Sequence, residues 1–70
     1  MSQHLEPFDR VRVIADRFAE IGAPAGSIGY VIERYADGAL EIEVSDPSSG
    51  ASVAQFVADA VDLELANPEE

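Results

Sequence analysis

Five short runs of strand-forming residues, separated by turn signals, constrain the fold of this chain more than any other feature of its sequence. Residues 10–14 alternate arginine with β-branched residues, which predicts a strand with Val11 and Val13 on its buried face. The β-branched and aromatic content of residues 29–35 predicts a second strand, and the alternation of residues 40–44 predicts a third. This part of the chain predicts strands and no helix of ordinary length.

The rest of the chain continues the pattern. Residues 52–57 predict a fourth strand with Phe56 as its large apolar residue, and residues 63–65 predict a short fifth strand whose leucines face inward. Residues 16–21 and 58–62 are each expected to form at most one tight helical turn within a loop. Five short strands are too few for an ordinary two-sheet sandwich, but they can close into a small barrel without exposed edges. We therefore predict an all-β fold, a small five-stranded barrel.

The length of 70 residues predicts a single domain. We expect an N-terminal arm over residues 1–7, the barrel over residues 8–66 and an acidic tail over residues 67–70. The absence of cysteine excludes disulfides and cysteine nucleophiles and favours the cytoplasm. No apolar run approaches the roughly 18 residues that a membrane span needs, so we expect a soluble, unprocessed, cytoplasmic protein.

Charge is the most unusual feature of the composition. Fourteen acidic residues face four basic ones, all arginine, and the formal net charge is −10. A surface that binds nucleic acid needs the opposite balance, so direct nucleic-acid binding is disfavoured. The acids are spread along the chain, which favours either a solubilising surface or an electrostatic field that attracts a basic protein partner.

Four segments spread along most of the chain form a recognisable pattern, residues 8–13, 26–31, 41–44 and 62–65. Together they resemble a family of small bacterial SH3-like domains without assigned function. The G-x-x-G-x-V segment within residues 26–31 is also similar to the KOW motif of ribosomal and transcription-factor barrels, and to the barrel part of nitrile hydratase β subunits. The resemblance implies a five-stranded SH3-like barrel, and it carries over no catalytic or binding residue.

The sequence offers no recognisable catalytic or cofactor site. His4 is the only imidazole, it lies in the predicted arm, and no second histidine exists to serve as a base for a serine nucleophile. Gly26 and Gly29 have no accompanying lysine of the kind that phosphate loops require, so we expect them to allow the tight start of the second strand. We predict no catalytic residue, no cofactor and no enzymatic activity.

Carboxylate pairs are the remaining candidates for metal binding or acid/base chemistry. Asp59 with Asp62, or Asp46 with Glu43, could hold a divalent cation. Their spacing matches no calcium-binding loop, so surface or capping roles are favoured and no metal site is predicted.

The hairpin of the second and third strands allows two registers. A two-residue turn would place Glu33 on the inner face of residues 40–44, whereas a three-residue loop with Gly38 in the left-handed region, with a bulge, would place Ile32 there instead. We favour the second register, because an unpaired buried carboxylate costs several kcal/mol whereas like charges facing each other on the surface cost about 1 kcal/mol or less.

This register gathers Glu33, Glu41 and Glu43 on the outer face, as what we call the acidic stripe. Apolar or aromatic side chains left partly exposed beside the stripe would favour docking over a merely solvated surface. The predicted partner-binding residues are Glu33, Glu41, Glu43, Tyr30, Ile32 and Tyr35. We expect glutamine at positions 41 and 43 to leave the fold intact.

A second location is available if the acidic stripe is only a solvated face. The loop of residues 16–27 and the turn of residues 46–50 would flank one groove in a barrel, and binding sites are often built on such loops.

The leading functional hypothesis is a non-enzymatic acidic module that binds a more basic protein, either as an immunity- or antitoxin-like inhibitor or as an accessory subunit. The alternatives are a small metal binder or enzyme that uses its carboxylates, and a structural barrel within an oligomer. The oligomeric state is left open.

Overall fold

Five antiparallel strands form a single sheet in the computed structural model, which describes residues 4–46 and 48–66. The strands are β1 (Arg10–Val13), β2 (Ile28–Arg34), β3 (Leu40–Ser45), β4 (Ser52–Ala58) and β5 (Leu63–Leu65). Two short 3-10 helices lie in the connections, η1 (Ala19–Ile21) before β2 and η2 (Ala60–Asp62) before β5. The all-β, five-stranded prediction is confirmed, and the predicted tail of residues 67–70 lies outside the described residues.

The strand bounds agree with the sequence expectation to within one residue at each end. The agreement follows from the alternation itself, because a period of two places every second side chain on one face of the sheet. The inner face holds the largest of the fully buried side chains, which are Val11, Val13, Val31, Leu40, Ile42 and Leu63. Burial of these branched side chains is the main favourable contribution to folding in a chain that has no cysteine to cross-link it.

The long connection between β1 and β2 contributes a side chain to the core. Phe18 is buried and stacks on Phe56 of β4, with ring centroids 4.3 Å apart. Ile21, three residues further on, lies exposed on the surface. The stack attaches the connection to the inner face of β4.

The segment before β1 also packs against the domain. Leu5 is only 2 % exposed and belongs to the core, although it lies in the segment predicted as an arm. Backbone hydrogen bonds fix the following residues to β2: the N–H of Phe8 donates to the carbonyl of Val31 at 2.6 Å, and the N–H of Val31 donates to the carbonyl of Asp9 at 3.0 Å. A single apolar residue has no periodicity that would reveal this docking from sequence.

The order of strands in the sheet is β4-β3-β2-β1-β5, so β4 and β5 are its two edges. Within the described part of the chain, β4 pairs only with β3 and β5 pairs only with β1. Closure of the sheet into a barrel therefore stays a prediction. β4 is also the one strand of the five that contains no charged residue.

Gly29 of β2 lies so close to β3 that a side chain there would clash. A Cβ atom at this position would lie 2.5 Å from the carbonyl oxygen of Glu43 and 3.0 Å from a methyl group of Val44. The register pairs Gly29 directly with Val44. Glycine is required at this position because there is no space for a Cβ atom. The φ angle of Gly29 is not positive, so backbone conformation does not require glycine here.

An ion pair joins the β1–β2 connection to η2. The guanidinium of Arg17 donates to both carboxylate oxygens of Asp62, at 2.6 and 3.3 Å. The same carboxylate accepts the backbone N–H of Asp59 at 2.9 Å, which is the capping role expected for this residue. Asp62 is 6 % exposed, and the hydrogen bond from Arg17 lowers the pKa of its carboxyl group.

Candidate functional site

The β2–β3 hairpin closes through a three-residue loop, as predicted. The N–H of Tyr35 donates to the carbonyl of Ala39 at 2.8 Å, and the N–H of Gly38 donates to the carbonyl of Tyr35 at 3.0 Å. Gly38 has φ of +93°, the left-handed conformation that the favoured register required.

The placement predicted for Ile32 is wrong. Val31 occupies the inner face opposite Ile42, while Ile32 is 38 % exposed. The pairing shifts between Val31 and Glu33, so two residues of β2 oppose one residue of β3 in a bulge. The sequence predicted a single bulge, at the hairpin loop. The additional bulge at Ile32 exchanges the inner and outer faces of β2 before the loop is reached.

Because of the bulge, Tyr30 and Glu33 lie on the same face of the sheet although they are three positions apart in β2. Glu33 lies opposite Glu41, and Tyr30 lies opposite Glu43. The acidic stripe thus forms on the outer face as predicted, with Glu33 exposed and the two glutamates of β3 half-buried. Two carboxylates that face each other across strands repel, so the pair of Glu33 and Glu41 needs compensation.

Glu41 receives that compensation from two neighbouring side chains. The Tyr35 hydroxyl donates to one carboxylate oxygen, and Nε2 of Gln55 on β4 donates to the other at 2.7 Å. These hydrogen bonds lower the pKa of Glu41, and the bond to Glu41 raises the pKa of Tyr35 to about 12. The expectation that glutamine at positions 41 and 43 leaves the fold intact stays a prediction, and Glu41 is the one of the two whose carboxylate accepts these hydrogen bonds.

The hydrogen bond between Tyr35 and Glu41 gives a measurable titration. Because the pKa of Tyr35 is raised, the bond stabilises the fold below pH about 10 and is lost as pH rises through about 12. The chain has two tyrosines, so Tyr30→Phe leaves Tyr35 as the only one. We expect ultraviolet titration of this variant to show tyrosinate forming with a midpoint of about 12.

Adding Glu41→Gln to the same variant removes the negative charge and should move the midpoint downward. Circular dichroism over the same pH range shows whether the fold persists through the titration. A midpoint near 10 with Glu41 intact and the fold retained would contradict the hydrogen bond.

Two predicted partner-binding side chains are left exposed beside the acidic stripe. Tyr30 is 48 % exposed and Ile32 is 38 % exposed, whereas Tyr35 is half-buried by its contact with Glu41. Partly exposed aromatic and aliphatic side chains next to charged residues are typical of protein interfaces. Tyr30 and Ile32 are therefore partly exposed apolar side chains beside the acidic stripe, the arrangement that favours docking over a merely solvated surface.

A groove of about 780 Å³, the loop groove, has Tyr30 of this face in its wall. It is lined by the β1–β2 connection on one side and by the ends of β3 and β4 on the other. The lining residues are Arg10, Gly22, Pro24, Gly26, Ser27, Ile28, Tyr30, Val44, Ser45, Asp46 and Val53. The expectation that the loop of residues 16–27 and the turn of residues 46–50 flank one groove is confirmed through residues 22–27 and Asp46. Tyr30 and Val53 also line the groove, and neither was expected there from the sequence.

The remaining candidate residues have local partners. Asp46 accepts the N–H and the hydroxyl of Ser48, at 2.8 and 2.7 Å, and these bonds lower its pKa. His4 contacts the carboxylate of Glu6 on the surface. Among residues 4–46 and 48–66, no three histidine or acidic side chains are grouped as metal ligands would be, and no helix has the length and apolarity to cross a membrane.

Comparison of the chain with protein-family models, with curated proteins and with solved structures finds no match in any of the three. The resemblance to small SH3-like domains therefore stays a prediction. Function has to be argued from the residues of this chain alone.

Proposed function

We propose that this chain is a non-enzymatic protein-binding module that binds a more basic protein through the outer face of β2 and β3. It acts in the cytoplasm, either as an immunity- or antitoxin-like inhibitor or as an accessory subunit of a larger complex. The observation that carries the proposal is the acidic stripe lying beside the exposed side chains of Tyr30 and Ile32.

Charge supports the choice of a basic partner. A net charge of −10 produces a field that attracts cationic surfaces and raises the rate of encounter more than it raises affinity. The acidic stripe supplies three of these charges on one face, and the neighbouring tyrosine and isoleucine supply apolar area that a partner can cover.

The three glutamates contribute in different ways. Glu41 is held by Tyr35 and Gln55, so its carboxylate is fixed in place and mainly shapes the electrostatic potential of the face. Glu33 is exposed at the bulge, and Glu43 lies opposite Tyr30 in the centre of the face. We assign direct contact with the partner to Glu33 and Glu43.

The test neutralises these two residues. The tagged domain is used to capture proteins from a lysate of its source, and the captured partner is identified and purified. We expect a basic partner whose binding weakens at high salt. Glu33→Gln with Glu43→Gln should slow its association by about threefold to tenfold, because the partner loses the local attraction that steers its approach.

The matched control is Asp16→Asn with Glu20→Gln, which removes the same charge from two exposed positions in the β1–β2 connection. The control should change the association rate less than the stripe variant does. An acidic partner, salt-independent binding, or equal slowing by the two variants would each count against the proposed face.

A further inference from the structure

We propose that the loop groove receives one large apolar side chain of the basic partner, with lysine or arginine residues flanking that side chain on the partner. This inference rests on the proposed function, and it adds to it a specific anchor site and the sequence character of the segment that binds there.

The first argument is the chemistry of the groove wall. Tyr30 and Val53 are each 48 % exposed, and Ile28 and Pro24 complete an apolar surface between them. Its volume of about 780 Å³ lies within the range of sites that enclose a ligand group. An aromatic or long aliphatic side chain fills such a site and removes this apolar area from water.

The second argument is that the groove and the acidic stripe are continuous. Tyr30 lines the groove and lies directly opposite Glu43 on β3. A segment that crosses the stripe with its basic side chains therefore reaches the groove without leaving the face. The apolar anchor and the charged contacts belong to one binding surface.

The third argument is the charge around the groove. Asp46 stands in its wall, and its hydrogen bonds to Ser48 favour the ionised carboxylate. Glu43 lies opposite Tyr30, which is part of that wall, while Arg10 is the only cationic residue among the described residues that line the groove. Acids at this end of β3 favour cations next to the anchor residue in the partner.

The same charges disfavour a second copy of this chain as the occupant. Two copies with a net charge of −10 each would bring stripe and groove acids of one molecule towards acids of the other. A basic segment with an apolar residue is complementary to both the acidic residues and the apolar wall of the groove. A second copy of this acidic chain would be complementary only to the apolar wall.

Two synthetic probes separate the anchor from the charge. One is a short capped peptide of alternating lysine and serine, and the other is the same peptide with tryptophan in place of its central serine. Binding to the full chain is measured by fluorescence anisotropy at low and moderate salt. We expect the tryptophan peptide to bind about tenfold more tightly, because its side chain buries the apolar wall of the groove.

The variants assign the gain to the groove. Val53→Ser should lower the affinity for the tryptophan peptide by about threefold or more. The affinity for the serine peptide should stay unchanged. Val61→Ser is the matched control, since Val61 is an exposed valine of η2 outside both the groove and the stripe. Tyr30→Ser provides a second groove variant, and circular dichroism establishes that each variant is folded before binding is compared.

The outcomes distinguish the two proposals. If neither peptide binds the unmodified chain, the groove assignment fails, whereas the proposed function is judged separately by the charge and salt dependence of the captured partner. If both peptides bind equally, or if Val53→Ser and Val61→Ser have the same effect, the groove assignment fails while the charge-based function stands. A dimer in sedimentation that Val53→Ser dissociates would assign the groove to a second copy and would overturn the inference.

Discussion

Replacing Gly29 with alanine is expected to destabilise the domain by about 3 kcal/mol or more. The added Cβ would lie 2.5 Å from a backbone oxygen of β3, which cannot rotate away as a side chain could. Relief requires β2 and β3 to separate at the centre of the sheet. A domain of this length has roughly 4–10 kcal/mol of total stability, so a large fraction of Gly29→Ala molecules should be unfolded or close to it.

Urea denaturation followed by circular dichroism measures this loss. Gly26→Ala is the control, because Gly26 has φ of +98° but a Cβ there would meet nothing within 4 Å. The control should cost only about 1–2 kcal/mol, the strain of a left-handed backbone in a residue that has a Cβ. Equal losses for the two variants would mean that lack of space at Gly29 is not what requires glycine.

Asp62→Asn is expected to cost about 1–2 kcal/mol, because solvent around the half-exposed Arg17 screens a pair that would otherwise contribute more. Asparagine can still accept the N–H of Asp59, so the change removes mainly the ion pair with Arg17. That pair holds the β1–β2 connection, which carries Phe18 into the core and forms one wall of the loop groove. The variant should therefore lower both the free energy of unfolding and the affinity of the chain for the tryptophan peptide.

The loss should depend on pH. The hydrogen bond from Arg17 lowers the pKa of Asp62 in the folded state, so its contribution is present above the unfolded value of about 3.9 and disappears as pH falls through the lower folded value. The difference in unfolding free energy between the unmodified chain and Asp62→Asn should thus be full at pH 7 and shrink below pH about 4. Asp59→Asn, at a mostly exposed residue 3.6 Å from Arg17, is the control and should cost much less. A difference that is unchanged in acid would contradict the ion pair.

The strands could be predicted from sequence because each carries its own local signal. The alternation in β1 and β3 specifies the buried face without reference to the rest of the fold. The left-handed glycine of the hairpin loop could also be predicted, because burying Glu33 in the other register would have cost several kcal/mol. These features depend on residues close together in the chain.

The features that could not be predicted depend on residues far apart in the chain. Arg17 and Asp62 are separated by 45 positions, and neither has a neighbour that marks it as half of an ion pair. Leu5 is one apolar residue without a periodic context. The bulge at Ile32 lies within the hairpin and is the exception: no local signal marks it, because Val31 and Ile32 are equally suited to burial by composition.

The uncharged strand β4 has a consequence for how the protein behaves at high concentration. A sheet edge with β-branched, aromatic and amide side chains and no lysine or proline is a template on which further chains can assemble into fibrous aggregates. In many proteins a charged residue on the edge strand itself prevents such pairing. In this chain the protection comes from repulsion between the whole surfaces of neighbouring molecules, at a net charge of −10 each. The protection therefore belongs to the whole surface, and it weakens wherever acid or concentrated salt diminishes that repulsion.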